Sequence, residues 1–169
     1  MMRRLEFAGI AVVASIVAAM AAPVWKAEDG VIFEPARAAT LLHQCSRDTP
    51  QHVTGFWLPQ TEQIADLEMR LPTLVDQEVH RIIGTSAQKK DPPMPNYLRQ
   101  YAGLIKGGRK IIYVNGFLAD EAHVGDGLRR KTDWRTRAVM VCDGYINYFG
   151  VEYDPQSKVF MGLAFNGAA

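Results

Sequence analysis

Apolar residues at Ile64, Leu67, Leu71, Leu74 and Val75 recur at steps of three and four, which lays one apolar stripe along a helix. Glu62, Asp66, Glu68 and Arg70 fall largely off that stripe. Proline is well tolerated at the first helical position, so this helix is expected to open near Pro59. Pro72 lacks a backbone donor and clashes with the preceding turn, which predicts a kink or two abutting helices, the second running to about Ile83 before Gly84. After an exposed loop, residues 87–96, the period shortens. Residues 97–105 and 110–117 read as strands joined by Lys106-Gly107-Gly108-Arg109, where the two glycines admit the positive φ angles of a tight hairpin turn. Residues 134–142, 145–153 and 158–165 read as three further strands, the last two linked by Asp154-Pro155-Gln156-Ser157. Residues 118–133 are polar and read as a long surface loop, and residues 50–59 as a loop with Phe56, Trp57 and Leu58 as apolar anchors.

Helices toward the N-terminus followed by antiparallel strands on short turns indicate an α+β class. The economical arrangement is an N-terminal helix, kinked near Pro72, packed on a curved four- or five-stranded antiparallel sheet. In outline this resembles the cystatin fold, an analogy of architecture alone. The expected organisation is a leader over residues 1–21, a tether over 22–40 in which Val31-Ile32-Phe33 docks as a short strand, and one α+β domain over 41–169.

The leader changes the picture. Arg3 and Arg4 precede an uncharged run from Phe7 to Trp25, and Ala19-Met20-Ala21 supplies a small-x-small exit, the pattern of a bacterial-type secretory signal. The alternative is a retained anchor, because the run approaches the roughly 20 residues that cross a bilayer. Its Ala-rich content and Pro23 favour processing. Either way the body of the chain is exported, to the periplasm or the medium, or to the periplasmic side of the inner membrane if the anchor stays. Cleavage after Ala21 leaves about 148 residues, enough for one domain with a core.

Export gives the two cysteines a meaning. An even pair in an oxidising compartment reads as a disulfide, here Cys45 to Cys142, rather than as a metal or redox pair, which needs closer spacing. The formal net charge of +1 leaves no surplus of positive charge for a nucleic acid. Membrane contact is expected only through the N-terminal segment, if uncleaved.

Candidate chemistry is sparse. His43, His52, His80 and His123 never stand four apart, the spacing that puts two ligands on one helical face, so no metal site is expected. Ser46, Ser86 and Ser157 lack the surrounding glycines of a nucleophile elbow, and Gly107-Gly108 leads into a strand rather than a helix N-terminus, so no covalent catalysis and no phosphate-binding cofactor is expected. Glu152 and Asp154 share one face of their strand, which permits a small cell-envelope hydrolase acting on glycans. An accessory subunit of an envelope complex is a further alternative. The favoured expectation is a non-enzymatic binding module, of inhibitor or immunity type, directed at another exported or envelope protein. Loops on a rigid scaffold commonly carry recognition. The expected contact surface is therefore the hairpin tip Gly107, Gly108 and Arg109 together with His123, Arg129, Arg130 and Trp134 of the long loop. The six tyrosines also invite a contact role for those outside the core.

Overall fold

The computed structural model of the chain describes residues 28–84, 96–119 and 133–167. The leader reading of residues 1–21 lies outside them. The class is α+β, built on one six-stranded open sheet. Its centre is the predicted hairpin of β3 (Tyr97–Lys106) and β4 (Arg109–Leu118), in register along its whole length. Gly107 and Gly108 take φ of +57° and +74°, the left-handed values that the two-residue turn requires. β5 (Tyr148–Asp154) and β6 (Val159–Phe165) extend the sheet antiparallel on one side. On the other side β1 (Gly30–Ile32) and β2 (Val53–Trp57) share the edge of β3. β1 runs parallel to it at Arg99–Tyr101, and β2 antiparallel at Gly103–Lys106.

Side chains alternate across a sheet, and here both faces are covered. One face carries Tyr97, Tyr101, Ile112, Val114, Phe149, Val151 and Tyr153. Against it pack α2 (Thr61–Glu68) and α3 (Leu71–Ile83) through Ile64, Leu67, Leu71, Val75 and Val79, the predicted apolar stripe continued by one turn. The break falls at Met69-Arg70, so Pro72 sits in the first turn of α3, where its missing N–H costs nothing. α2 opens at Thr61 rather than Pro59, because the Gln60 and Gln63 side chains and backbone cap each other reciprocally.

The opposite face carries Ala102, Leu104, Ile111 and Tyr113. It is covered by α1 (Pro35–Ala38) and the 3-10 turn Ala39–Leu42, whose Ala38 and Leu41 are fully buried, as is Phe33 before them. Residues 28–40 are thus no free tether: Phe33 and Ala38 are core, and Val31 and Ile32 pack against it half-buried. Residues 53–57 are likewise β2 rather than loop, with Trp57 packed beside the main core.

Residues 134–142 do not form the expected strand, and the reason is chemical. Their carbonyls are satisfied by buried amide side chains instead of a ladder. Gln100 donates to the carbonyls of Trp134 (2.5 Å) and Arg137 (2.7 Å), Asn115 to Val139 (3.0 Å), and Asn166 to Val141 (2.7 Å) and Asp143 (2.8 Å). Val139 then packs with Phe117 and Tyr148. The expected strand at 145 starts only at Tyr148, after Gly144 at φ +101° and a 3-10 turn Tyr145–Asn147.

Candidate functional site: an apolar pocket beside Arg99

Four residues on neighbouring strands fall in one row: Arg99 opposite Gly116, Gly116 opposite Phe149, and Phe149 opposite Phe165. The row lies on the face covered by α3. Gly116 has no side chain, and a Cβ there would run into the Phe149 ring. The ring therefore leans over Gly116, edge-on to Tyr97 with centroids 5.1 Å apart. Between this row and α3 lies a half-enclosed pocket of about 270 Å³. Leu71, Pro72 and Val75 line it from α3, and Asn96, Tyr97, Arg99 and Phe149 from the sheet.

Arg99 is the charged group of this wall. Its Nη2 is 3.0 Å from Oε2 of Glu68, the last residue of α2, and its Nη1 donates to the Tyr97 carbonyl at 2.6 Å. Tyr101 donates its hydroxyl to Glu68 Oε1 at 2.7 Å. Burial pushes the Glu68 carboxyl above the usual range, against the opposing pull of Arg99 and Tyr101. Burial also raises the Tyr97 hydroxyl to about 12, and that hydroxyl donates to the Ile146 carbonyl at 2.6 Å. The Arg99 Nε–H is buried and meets no acceptor among the described residues.

A second polar cluster lies on the other face, under a cap closed by the Cys45–Cys142 disulfide, whose Cα atoms are 5.0 Å apart. The staple joins two loops, not a loop and a strand. Arg47 donates to the Asn115 and Asn166 side-chain carbonyls, Gln44 to the Val139 carbonyl (3.3 Å), and the Gly167 amide to the Ser46 carbonyl (3.1 Å). Tyr113 faces Arg47 over Gly150, and burial pushes its hydroxyl up while Arg47 draws it down. This cluster holds the cap on the sheet. A disulfide of this kind indicates an oxidising compartment outside the cytoplasm. Among the described residues no helix is long and apolar enough to cross a membrane.

No protein-family model, curated protein or solved structure matches the chain. Its own geometry has to carry the reading.

The sequence-predicted residues disperse. Gly107 and Gly108 form the exposed hairpin tip, with open space where a Cβ would stand. Arg109 pairs with Asp154 at 3.2 Å. Trp134 packs edge-on to Phe117 (5.8 Å) with the Arg135 guanidinium over its ring (4.2 Å). Phe117 stands eight residues along β4 from Arg109, roughly 27 Å at about 3.4 Å per residue, so Trp134 is not brought to the tip. His123, Arg129 and Arg130 lie outside the described residues.

Glu152 and Asp154 do share a face, but both are engaged. Lys106 Nζ lies 2.7 and 2.9 Å from the Glu152 oxygens. Asp154, 4% exposed, accepts the Gln156 and Ser157 amides at 2.9 and 3.2 Å. Burial pushes its carboxyl up, but the Ser157 and Gln156 amides, the Ser157 hydroxyl and the Arg109 charge together hold the group below its ordinary value. Of the six tyrosines, five are core and only Tyr145 is exposed. What went unread in the sequence is the alternation Tyr97-Arg99-Tyr101 beside Ile112-Val114-Gly116: a charge and a gap at two successive positions of an apolar face.

Proposed function

We propose that the protein is an exported, non-catalytic binding module of the periplasm or the extracellular medium, of inhibitor or immunity type. In this reading it holds one apolar side chain of another exported or envelope protein in the pocket beside Arg99. A helix laid across an antiparallel sheet, cystatin-like in outline, serves as its scaffold. One observation carries the reading: the half-enclosed apolar hollow sits on a face otherwise closed by core packing, with Arg99 as the charged residue of its lining. Its volume of about 270 Å³ falls below the roughly 300–1,000 Å³ of small-molecule and cofactor sites, which suits a single anchoring side chain. Such anchors, seated in dry pockets, dominate the energy of protein contacts.

The test is capture from an envelope extract with four baits. Asn96 is exposed at the rim, so Asn96→Trp covers the mouth without entering the core, while Val75→Phe fills the pocket from α3. The wild type and an Arg109→Ala control should retain a stoichiometric partner that both pocket variants lose. A partner held equally by all of them would refute the assignment.

A further inference from the structure

Independently of the pocket, we propose that β6 is the contact edge of a homodimer. Two copies of the chain pair antiparallel along Val159–Phe165 and join their sheets into one.

Among the described residues the sheet ends at β6, which pairs with β5 alone. The direction of its outer backbone groups follows from the ladder. Ala164 stands opposite Gly150, and the Asn166 amide donates to the Tyr148 carbonyl at 3.0 Å. Phe165 lies between them, so by the alternation of an antiparallel ladder its own amide and carbonyl point away from β5. Its neighbours on the helix side are apolar. Phe160, Leu163 and Phe165 all pack half-buried against the main core, with Phe160 against Tyr153 (4.8 Å between centroids) and Phe165 against Phe149 (6.1 Å). A bulge with Gly162 at φ +61° brings Leu163 onto the same side as the two phenylalanines. The edge thus offers backbone donors and acceptors together with a half-covered apolar stripe.

An extended strand fits such an edge, and the charge pattern selects a second copy as its source. Monomeric proteins blunt their sheet edges with charges, prolines or very short strands. Residues 159–165 contain no charge and no proline, and β6 is seven residues long, against three for β1 and five for β2 at the opposite edge. The preceding charge, Lys158, is held by Asp66 at 2.9 Å. Two such strands therefore meet without repulsion, and a formal net charge of +1 adds little between whole chains. Antiparallel pairing of identical strands is two-fold symmetric. The axis stands across the sheet, so both helical layers stay on one side and each apolar stripe covers the flank of the other.

The test uses the chain purified from an exporting host, with its disulfide intact. In sedimentation equilibrium between roughly 1 μM and 1 mM the mass should double. Over the same range hydrogen exchange at the Phe165 amide should slow about tenfold or more, while the Asn166 amide, already bonded to Tyr148, stays constant. Val159→Lys and Leu163→Lys should remain monomeric. Leu58→Lys, which adds the same charge at an exposed residue beyond the opposite edge, should dimerise as the wild type does. A wild type that stays monomeric throughout overturns the proposal. So does a dimer that leaves Phe165 exchange unchanged or survives both β6 lysines. Protection of Phe165 that appears only when envelope extract is added gives the edge to a foreign strand, and also overturns it. The wild-type exchange comparison decides the matter even if a variant fails to fold.

Discussion

Removing the staple should cost more than any other single chemical change to this protein. Cys45 and Cys142 are 97 residues apart, and the loop they close spans β2, α2, α3, β3 and β4. In the chain-entropy account, cross-linking a loop of that length withholds about 4.7 kcal/mol of freedom from the unfolded chain. The cap itself is held independently by Arg47 on Asn115 and Asn166, by Gln44 on Val139 and by Gly167 on Ser46. The Cys45→Ser, Cys142→Ser double variant should therefore keep its native structure and lose stability through the unfolded state. With a urea slope of about 1–3 kcal/mol per molar, the midpoint should fall by roughly 1.6–4.7 M. The assay is equilibrium urea unfolding of the oxidised wild type and the double variant, followed by far-ultraviolet circular dichroism and tyrosine fluorescence. A midpoint shift under about 0.5 M at unchanged slope would show that the bond does not restrict the unfolded chain as argued.

Other consequences follow from single groups. Tyr113 buries a hydroxyl that makes no well-formed hydrogen bond, so Tyr113→Phe should be neutral or stabilising by up to about 1 kcal/mol; a clear loss in thermal unfolding would contradict this. A Cβ at Gly150 would stand 2.5 Å from the Tyr113 hydroxyl and 2.8 Å from Arg47 Nε, so Gly150→Ala should destabilise by about 1–3 kcal/mol and be partly rescued by Tyr113→Phe in a double-mutant cycle. Gly116→Ala should displace the Phe149 ring and lower the amount of partner retained in the envelope-extract capture relative to the wild type. The Tyr153 hydroxyl and Lys158 hold the Asp66 carboxyl below its ordinary 3.8, so its stabilisation is present above that pH and is lost as pH falls through the folded value. Glu68 runs the other way: burial raises it, and its contribution declines as pH rises from 4.5 through the folded value. Asp66→Asn should flatten the acid limb of melting temperature against pH, and Glu68→Gln should remove the opposing slope.

What the sequence revealed and what it concealed divide along physical lines. Local rules were readable. Gly107-Gly108 had one turn to make, Pro72 marked a kink or a junction of two helices, of which the structure shows the junction, and the stripe from Ile64 to Val75 could only face a core. The cysteine pair was readable too, once the leader pattern pointed to an oxidising compartment. Residues 134–142 misled because their strand-like composition takes its hydrogen bonds from Gln100, Asn115 and Asn166, side chains far away in sequence. Residues 28–40 looked like a tether because their apolar residues show no sustained period, yet Phe33 and Ala38 are buried by tertiary packing. The pocket was hidden for a similar reason. Gly116 reads as a strand end beside Asn115, and only the register with Arg99 and Phe149 turns it into a gap in a wall. No local pattern encodes which strands stand side by side.

The staple has one more consequence, for survival among proteases. A single peptide-bond cut anywhere between Cys45 and Cys142 leaves two fragments still tied through sulfur. Such a nicked molecule would migrate as one species until a reductant is added. It would also keep α3 tied to the strands that form the pocket, so the two parts of a once-cleaved copy stay together until the bond is reduced.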